Sequence, residues 1–72
     1  MKISQHAEDR MKERNVSLFL LQVALDSPSS IARREDGRTY IKTLPGGNEL
    51  HVGTCMVMGE LLVKTVFVRE KK

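Results

Sequence analysis

The chain has 72 residues, with 12 lysines and arginines against nine aspartates and glutamates, and a formal net charge of +3. This length predicts one domain over 1–72, whose thin core favours a homodimer or a stable hetero-complex. The mild positive charge favours anionic partners. A single cysteine excludes an internal disulfide, and the apolar runs are too short to span a bilayer. We therefore expect a cytoplasmic protein without a membrane partner.

Two helices are predicted near the start of the chain. Ser4 is a favourable N-cap for a helix that runs to about Arg14, and Asn15 can end it in the left-handed conformation. Ser17 then caps a second helix, from Leu18 to about Leu25. The second helix is apolar almost all round, so we expect it to be the main buried helix.

From Ser29 onward the hydrophobic period changes to two, which predicts strands. Asp36-Gly37 predicts a type I′ hairpin turn. Four strands are expected, over Ile31–Glu35, Arg38–Leu44, Glu49–Met58 and Leu61–Arg69. The predicted fold is α+β, with two N-terminal helices packed on a four-stranded antiparallel sheet (ααββββ).

Strict alternation assigns the faces of the last strand. It places Leu61, Val63, Thr65 and Phe67 together on one side, which we take as the core side. A buried hydroxyl bonded to the backbone is then the expected role of Thr65, and Cys55 is expected to be a small buried hydrophobe. The predicted core consists of Leu20, Leu21, Ala24, Leu25, Val52, Val63 and Phe67. The opposite side of the last strand is also apolar, which favours association with another chain.

His6, Arg10 and Arg14 stand four residues apart in the first helix, so they line one helix face. Histidine can act as acid or base near neutral pH, and arginine binds phosphate with two parallel hydrogen bonds. One interpretation is therefore a phosphate site that cleaves RNA without a metal. The alternative is a solvated helix face, on which Glu8, Asp9 and Glu13 pair with Lys12, Arg10 and Arg14.

Two strands carry further candidates. His51, between Leu50 and Val52, is a possible second acid or base, or a half-buried structural residue. Arg38, Tyr40 and Lys42 share one side of their strand. Such a tyrosine can stack on a base while the cations hold phosphate, and the alternative is an ordinary strand surface.

Several short segments along the chain match, in the same order, the pattern of a known family. They are His6-x-x-x-Arg10-Met11-x-x-Arg14, Ser27-Pro28, Asp36-Gly37-Arg38-x-Tyr40, Leu50-His51-Val52 and Thr65-Val66. With these residues the chain resembles domain-of-unknown-function family 4258, a family of small bacterial and phage proteins. That family is similar to the RelE, barnase and colicin group of RNase toxins, which also set helices against an antiparallel sheet. Asn15 stands where many members have glycine.

The resemblance implies a small metal-independent RNA-binding protein, and an endoribonuclease toxin of a toxin–antitoxin pair if the site is catalytic. Its catalytic residues would be His6, Arg10, Arg14 and His51, and RNA would contact Arg38, Tyr40 and Lys42. The partners would be RNA and an antitoxin or other protein. The alternative is a non-catalytic bacterial or phage module that binds a protein partner. One cysteine and two distant histidines give no zinc spacing, so we expect neither metal nor cofactor.

Overall fold

The computed structural model describes residues 1–70, which form an α+β fold with two helices and a mixed five-stranded sheet. The elements in chain order are β1 (Lys2–Ile3), α1 (Gln5–Glu13), α2 (Leu18–Asp26), β2 (Ser30–Arg34), β3 (Gly37–Thr43), β4 (Glu49–Val57) and β5 (Glu60–Arg69). In this part of the chain neither helix is long and apolar enough to cross a membrane.

The sheet has the strand order β1-β5-β4-β3-β2. The four predicted strands are present and antiparallel, but the prediction of a four-stranded sheet is wrong because β1 adds a fifth strand, parallel to β5. Lys2 and Ile3 pair with Leu62 and Val63, and Ser4 continues the contact by donating its backbone N–H to the Val63 carbonyl at 3.0 Å. Two residues carry no alternation, so nothing in the sequence pattern indicated this strand.

Both helices begin at the predicted serines. The Ser4 hydroxyl accepts a hydrogen bond from the Ala7 backbone N–H at 3.1 Å, and it donates to the Lys64 carbonyl of β5 at 2.9 Å. The Ser17 hydroxyl caps α2 by accepting from the Leu20 N–H at 3.0 Å. Asn15 has a φ of 55°, which confirms the predicted left-handed residue after α1. One serine therefore both starts α1 and fixes it to the sheet.

The core lies between the helices and one face of the sheet. Its buried residues are Ala7, Met11, Val16, Leu21, Ala24, Leu50, Val52, Val63 and Val66. Leu20 and Leu25, predicted as core, are partly buried and pack against this cluster. Within residues 1–70 the opposite face of the sheet carries no helix, and we call it the helix-free face.

A β-bulge corrects the predicted faces of β5. The register shifts between Gly53 and Thr54, so that Gly53 pairs with Thr65 whereas Thr54 pairs with Val63. Lys64 is the extra residue, and it reverses the alternation from that point on. Val66 therefore enters the core, and Thr65 and Phe67 lie on the helix-free face. The predicted core positions of Thr65 and Phe67 are wrong for this reason.

The first hairpin turn lies one residue earlier than predicted. Arg34 pairs with Gly37, so Glu35 and Asp36 form the loop and Gly37 begins β3. In the described residues only Asn15 and Met58 have positive φ among non-glycines, so the turn is not type I′. Gly37 is required instead by a close approach, because a Cβ there would overlap the Thr54 carbonyl group.

Candidate nucleic-acid interface

The row on α1 lies on the surface. His6, Arg10 and Arg14 are exposed, while Ala7 and Met11 on the other side of the helix are buried. Arg10 Nη1 donates to Glu13 Oε2 at 2.7 Å, so one of the two arginines already has a carboxylate partner. This pair is of the kind expected on a solvated helix face.

His51 lies on the opposite side of the sheet from α1. Its ring stacks on Phe67, with centroids 4.7 Å apart and planes inclined by 19°. His51 Nε2 lies 3.4 Å from Glu49 Oε1, and the residue is 8% exposed. Because the sheet separates His51 from His6, the two histidines cannot act together on one phosphate.

The three candidates on β3, Arg38, Tyr40 and Lys42, do not line one common site. Arg38 and Tyr40 line a common groove of about 270 Å³ at the β2–β3 hairpin, which we call the arginine groove. Lys42 lies near the other end of β3, where its Nζ donates to the Ser27 carbonyl at 2.9 Å. A lysine in this position satisfies a free carbonyl at the C-terminus of α2. Lys42 therefore has a structural partner, and Tyr40 also packs against the core.

Sequence reasoning missed two arginines of β2 near Arg38, with Arg33 on the same face of the sheet as Arg38 and Arg34 on the other face. Arg33 pairs directly with Arg38 across β2 and β3, and Arg34 lines the arginine groove. Within residues 1–70, Arg33, Arg34 and Arg38 have no carboxylate within ion-pair distance. Like charges directly opposite each other on two strands are destabilising, so this pair favours an anion between or beside the guanidinium groups. The signal in the sequence was the adjacent pair Arg33-Arg34. Once the turn is placed at Glu35-Asp36, Arg33 of this pair lies opposite Arg38.

The rest of the arginine groove is largely apolar. Tyr40, Cys55, Met56 and Leu61 line it, together with Gly37 and Thr54. Thr54 Oγ1 donates to the Arg38 carbonyl at 2.9 Å, which fixes the backbone of β3 at this point. Cations beside an apolar and aromatic wall suit a ligand that carries both phosphates and flat bases.

An ion pair closes the same end of the sheet. Lys64 Nζ, on the bulge, lies 2.7 Å from Asp36 Oδ2 in the turn. The hydrogen bond from Lys64 holds the pKa of Asp36 below its ordinary value, and nearby Arg34 contributes in the same direction. The hydrogen bond to Asp36 in turn raises the pKa of Lys64. Both groups are therefore charged at neutral pH. Lys64 already has a carboxylate as its ion-pair partner, whereas within residues 1–70 the three arginines have none.

Comparisons with protein-family models, with curated proteins and with solved structures find no match to this chain. The resemblance to domain-of-unknown-function family 4258 therefore stays a prediction. No group of three or more histidine, cysteine, aspartate or glutamate side chains that could hold a metal ion occurs between Met1 and Glu70.

Proposed function

We propose that the protein binds single-stranded RNA through the arginine groove, without cleaving it. The observation that carries this proposal is the pair Arg33 and Arg38, which face each other across the hairpin and, within residues 1–70, have no carboxylate within ion-pair distance. An RNA phosphate relieves their repulsion and accepts the paired hydrogen bonds that a guanidinium group donates.

The geometry supports binding better than catalysis. Metal-independent RNA cleavage is most efficient with an acid and a base on either side of one phosphate. The two histidines lie on opposite sides of the sheet, and His51 is covered by Phe67. The arginines of the groove are permanently charged, so they stabilise phosphate but do not exchange protons at neutral pH.

Fluorescence anisotropy with a labelled decauridylate tests the proposal. Arg38→Ala should weaken binding, and it should reduce the slope of log K against log salt by about 0.7, the value for one lost contact to a single strand. Lys12→Ala is a matched control, because Lys12 is an exposed cation on α1 outside the arginine groove. An Arg38→Ala protein that binds RNA like the wild type would overturn the proposal.

The same labelled decauridylate tests whether the α1 row of His6, Arg10 and Arg14 binds RNA and whether the protein cleaves it. Arg14→Ala removes the cation of that row that has no ion-pair partner in the described part of the chain, and we expect it to behave like Lys12→Ala. Decauridylate incubated with the wild type should stay intact on a denaturing gel. Fragments that disappear with His6→Ala would instead support the endoribonuclease interpretation.

A second candidate function, binding of a protein partner, has its own observation. Phe19 and Leu18 are 78% and 59% exposed at the start of α2. Leu18 lines a groove of about 750 Å³ whose apolar residues also include Met11 and Val16, and Phe19 is the next residue along α2. Exposed aromatic side chains beside an apolar groove are typical of protein interfaces. This surface is separate from the arginine groove, so the protein can use both.

A further inference from the structure

The outer side of β2 has no neighbouring strand. β2 is the last strand in the order β1-β5-β4-β3-β2, and it pairs with β3 alone. Within residues 1–70 no loop backbone hydrogen-bonds to β2, and all its side chains except that of Ala32 are exposed. We call this side of the strand the β2 edge. An open edge presents unpaired N–H and C=O groups, which another extended chain can satisfy.

The backbone groups that point outward from the β2 edge belong to Ile31 and Arg33. The Arg38 carbonyl accepts a hydrogen bond from the Thr54 hydroxyl of β4 at 2.9 Å, so Arg38 directs its backbone groups toward β4. Tyr40, two residues further on, does the same by alternation. Their partners on β2 are Arg33 and Ile31, which therefore do not bond to β3 and direct their own N–H and C=O groups away from the sheet.

The side chains of the β2 edge carry positive charge on both faces of the sheet. Arg33 and Ile31 lie on the side of the helices, where Tyr40, the partner of Ile31, packs against the core. Arg34 lies on the helix-free face. Within residues 1–70 neither arginine has a carboxylate within ion-pair distance, and Ile31 is 47% exposed. A complementary strand would carry carboxylates opposite both arginines and an apolar side chain opposite Ile31.

These charges argue against a second copy of the chain on the same edge. Antiparallel pairing of two β2 edges would bring Arg33 and Arg34 of both copies together, with no carboxylate from either β2 strand. Like charges on adjacent strands are destabilising, and charged residues are a common protection of an edge against self-pairing. An acidic strand meets the opposite condition, because its charges attract the arginines while its backbone completes the ladder.

We propose that the β2 edge binds an extended acidic segment of another protein as an added antiparallel strand. In its own chain direction, this segment carries an acidic residue opposite Arg34, a second opposite Arg33, a residue of any type opposite Ala32, and an aliphatic residue opposite Ile31. Backbone hydrogen bonds to Ile31 and Arg33 give affinity, and the alternate side chains give specificity. Because Arg33 also belongs to the proposed RNA surface, the added strand displaces RNA, and only this consequence rests on the proposed function.

An NMR titration with the end-blocked peptide Thr-Glu-Glu-Thr-Val-Thr tests the strand addition. The first threonine is placed opposite Glu35, where a carboxylate would be repelled. The amides of Ile31 and Arg33 should shift, and their hydrogen exchange should slow. Replacing both glutamates by glutamine should weaken binding by about fivefold, as expected for two exposed ion pairs, and should remove its dependence on salt.

N-methylated peptides separate strand addition from attraction by charge alone. The second glutamate lies opposite Arg33, so its N–H bonds to the β2 edge, and its N-methylation should weaken binding at least about fivefold, the size of one backbone hydrogen bond. The N–H of the central threonine points away from β2. N-methylation there is the matched control, and that peptide should bind like the parent.

Variants of the protein test the same contacts from the other side. Ile31→Pro removes an outward N–H and leaves the bonds from β2 to β3, so it should weaken peptide binding at least about fivefold. Ile31→Thr is its control, because it also loses the aliphatic side chain but keeps the N–H, and it should bind more tightly than Ile31→Pro. Arg33→Ala should weaken binding by about twofold, whereas Lys12→Ala, on α1, should have no effect.

The outcomes keep this inference apart from the proposed function. If both N-methylated peptides bind as tightly as the parent, or if the parent does not bind at millimolar concentration, the added strand is overturned. Binding of decauridylate without peptide tests the RNA proposal on its own. If the peptide binds as a strand but does not displace decauridylate, strand addition is supported and the shared use of Arg33 is overturned.

Discussion

His51 and Phe67 stack across β4 and β5 on the helix-free face, with ring centroids 4.7 Å apart. One face of the Phe67 ring is used by this stack, and the residue is 44% exposed. Phe67→Leu keeps an apolar contact with His51 but removes the stacking, so it should lower the free energy of unfolding by about 1 kcal/mol. Urea denaturation measures this difference. An unchanged midpoint would show that the two rings do not stabilise each other in solution.

Leu21→Asp should unfold the domain. Leu21 is fully buried in the centre of α2, so the change places a carboxylate in the core at a cost of several kcal/mol, comparable with the whole stability of so small a domain. Phe19→Asp puts the same residue two positions away on the same helix, where the side chain is 78% exposed, and it should melt close to the wild type. Circular dichroism during heating distinguishes the two. A Leu21→Asp protein with the wild-type melting temperature would contradict the core assignment.

Alanine substitutions at two glycines should differ in severity. At Gly37 the new Cβ would overlap the carbonyl of Thr54, which is backbone in the middle of the sheet and cannot move away cheaply. At Gly53 it would meet the Thr65 methyl at 2.8 Å, which a rotation of that side chain relieves. We expect Gly53→Ala to cost about 1–3 kcal/mol, as overpacking does, and Gly37→Ala to cost more. Equal denaturation midpoints for the two variants would contradict the close approach at Gly37.

The ion pair of Asp36 and Lys64 should give a defined dependence of stability on pH. The pKa of Asp36 is lowered on folding, so its contribution is present above the ordinary aspartate pKa and is lost as the pH falls through the lowered value. The pKa of Lys64 is raised, so its contribution is present below the ordinary lysine pKa and is lost as the pH rises through the raised value. The pair therefore stabilises the fold across the whole neutral range.

Titration of the Asp36 carboxyl carbon by NMR tests the cause of this shift. In Lys64→Gln the pKa of Asp36 should rise toward its ordinary value, because the hydrogen bond from Lys64 is its largest cause. Lys12→Gln removes a lysine from α1 and should leave the Asp36 titration as it is. An Asp36 titration that is the same in Lys64→Gln and the wild type would show that the pair does not form in solution.

Self-association or a stable complex remains a prediction. The exposed apolar residues indicate which surfaces would form the interface. Phe19 is 78% exposed on α2, and Met56 and Met58 are 63% and 101% exposed near the β4–β5 turn. Sedimentation at micromolar concentration should show a dimer if a second copy covers one of these surfaces. Phe19→Ser and Met58→Ser identify which one, since only the variant in the interface becomes a monomer. If the wild type is already a monomer, self-association is contradicted, and a complex with a different protein remains as the prediction.

The elements with clear local signals could be predicted from the sequence. Ser4 and Ser17 are N-caps as expected, and Asn15 has the expected left-handed backbone. The errors have non-local causes. The bulge at Lys64 depends on how β4 and β5 align, and no residue near it signals a change of face. The contact of β1 with β5 joins residues that lie at opposite ends of the described chain.

The candidate site was predicted less well than the fold. Arg38 and Tyr40 do share a groove, but Arg34, which also lines it, and Arg33, which pairs with Arg38, become visible as neighbours only once the hairpin register is known. His6 and His51 looked equivalent as titratable groups, and only the topology shows that the sheet separates them. Residue type indicated the chemistry, whereas the pairing of strands decided which residues meet.

The contact between Ser4 and Lys64 has a consequence for synthesis on the ribosome. The two residues lie 60 positions apart, and α1 packs mainly on β5, the last of the five strands in residues 1–70. Until β5 leaves the exit tunnel, the apolar sides of both helices have no complete sheet to pack on. We therefore expect the nascent chain to stay protease-sensitive until its final strand emerges, and then to fold in one late, cooperative step.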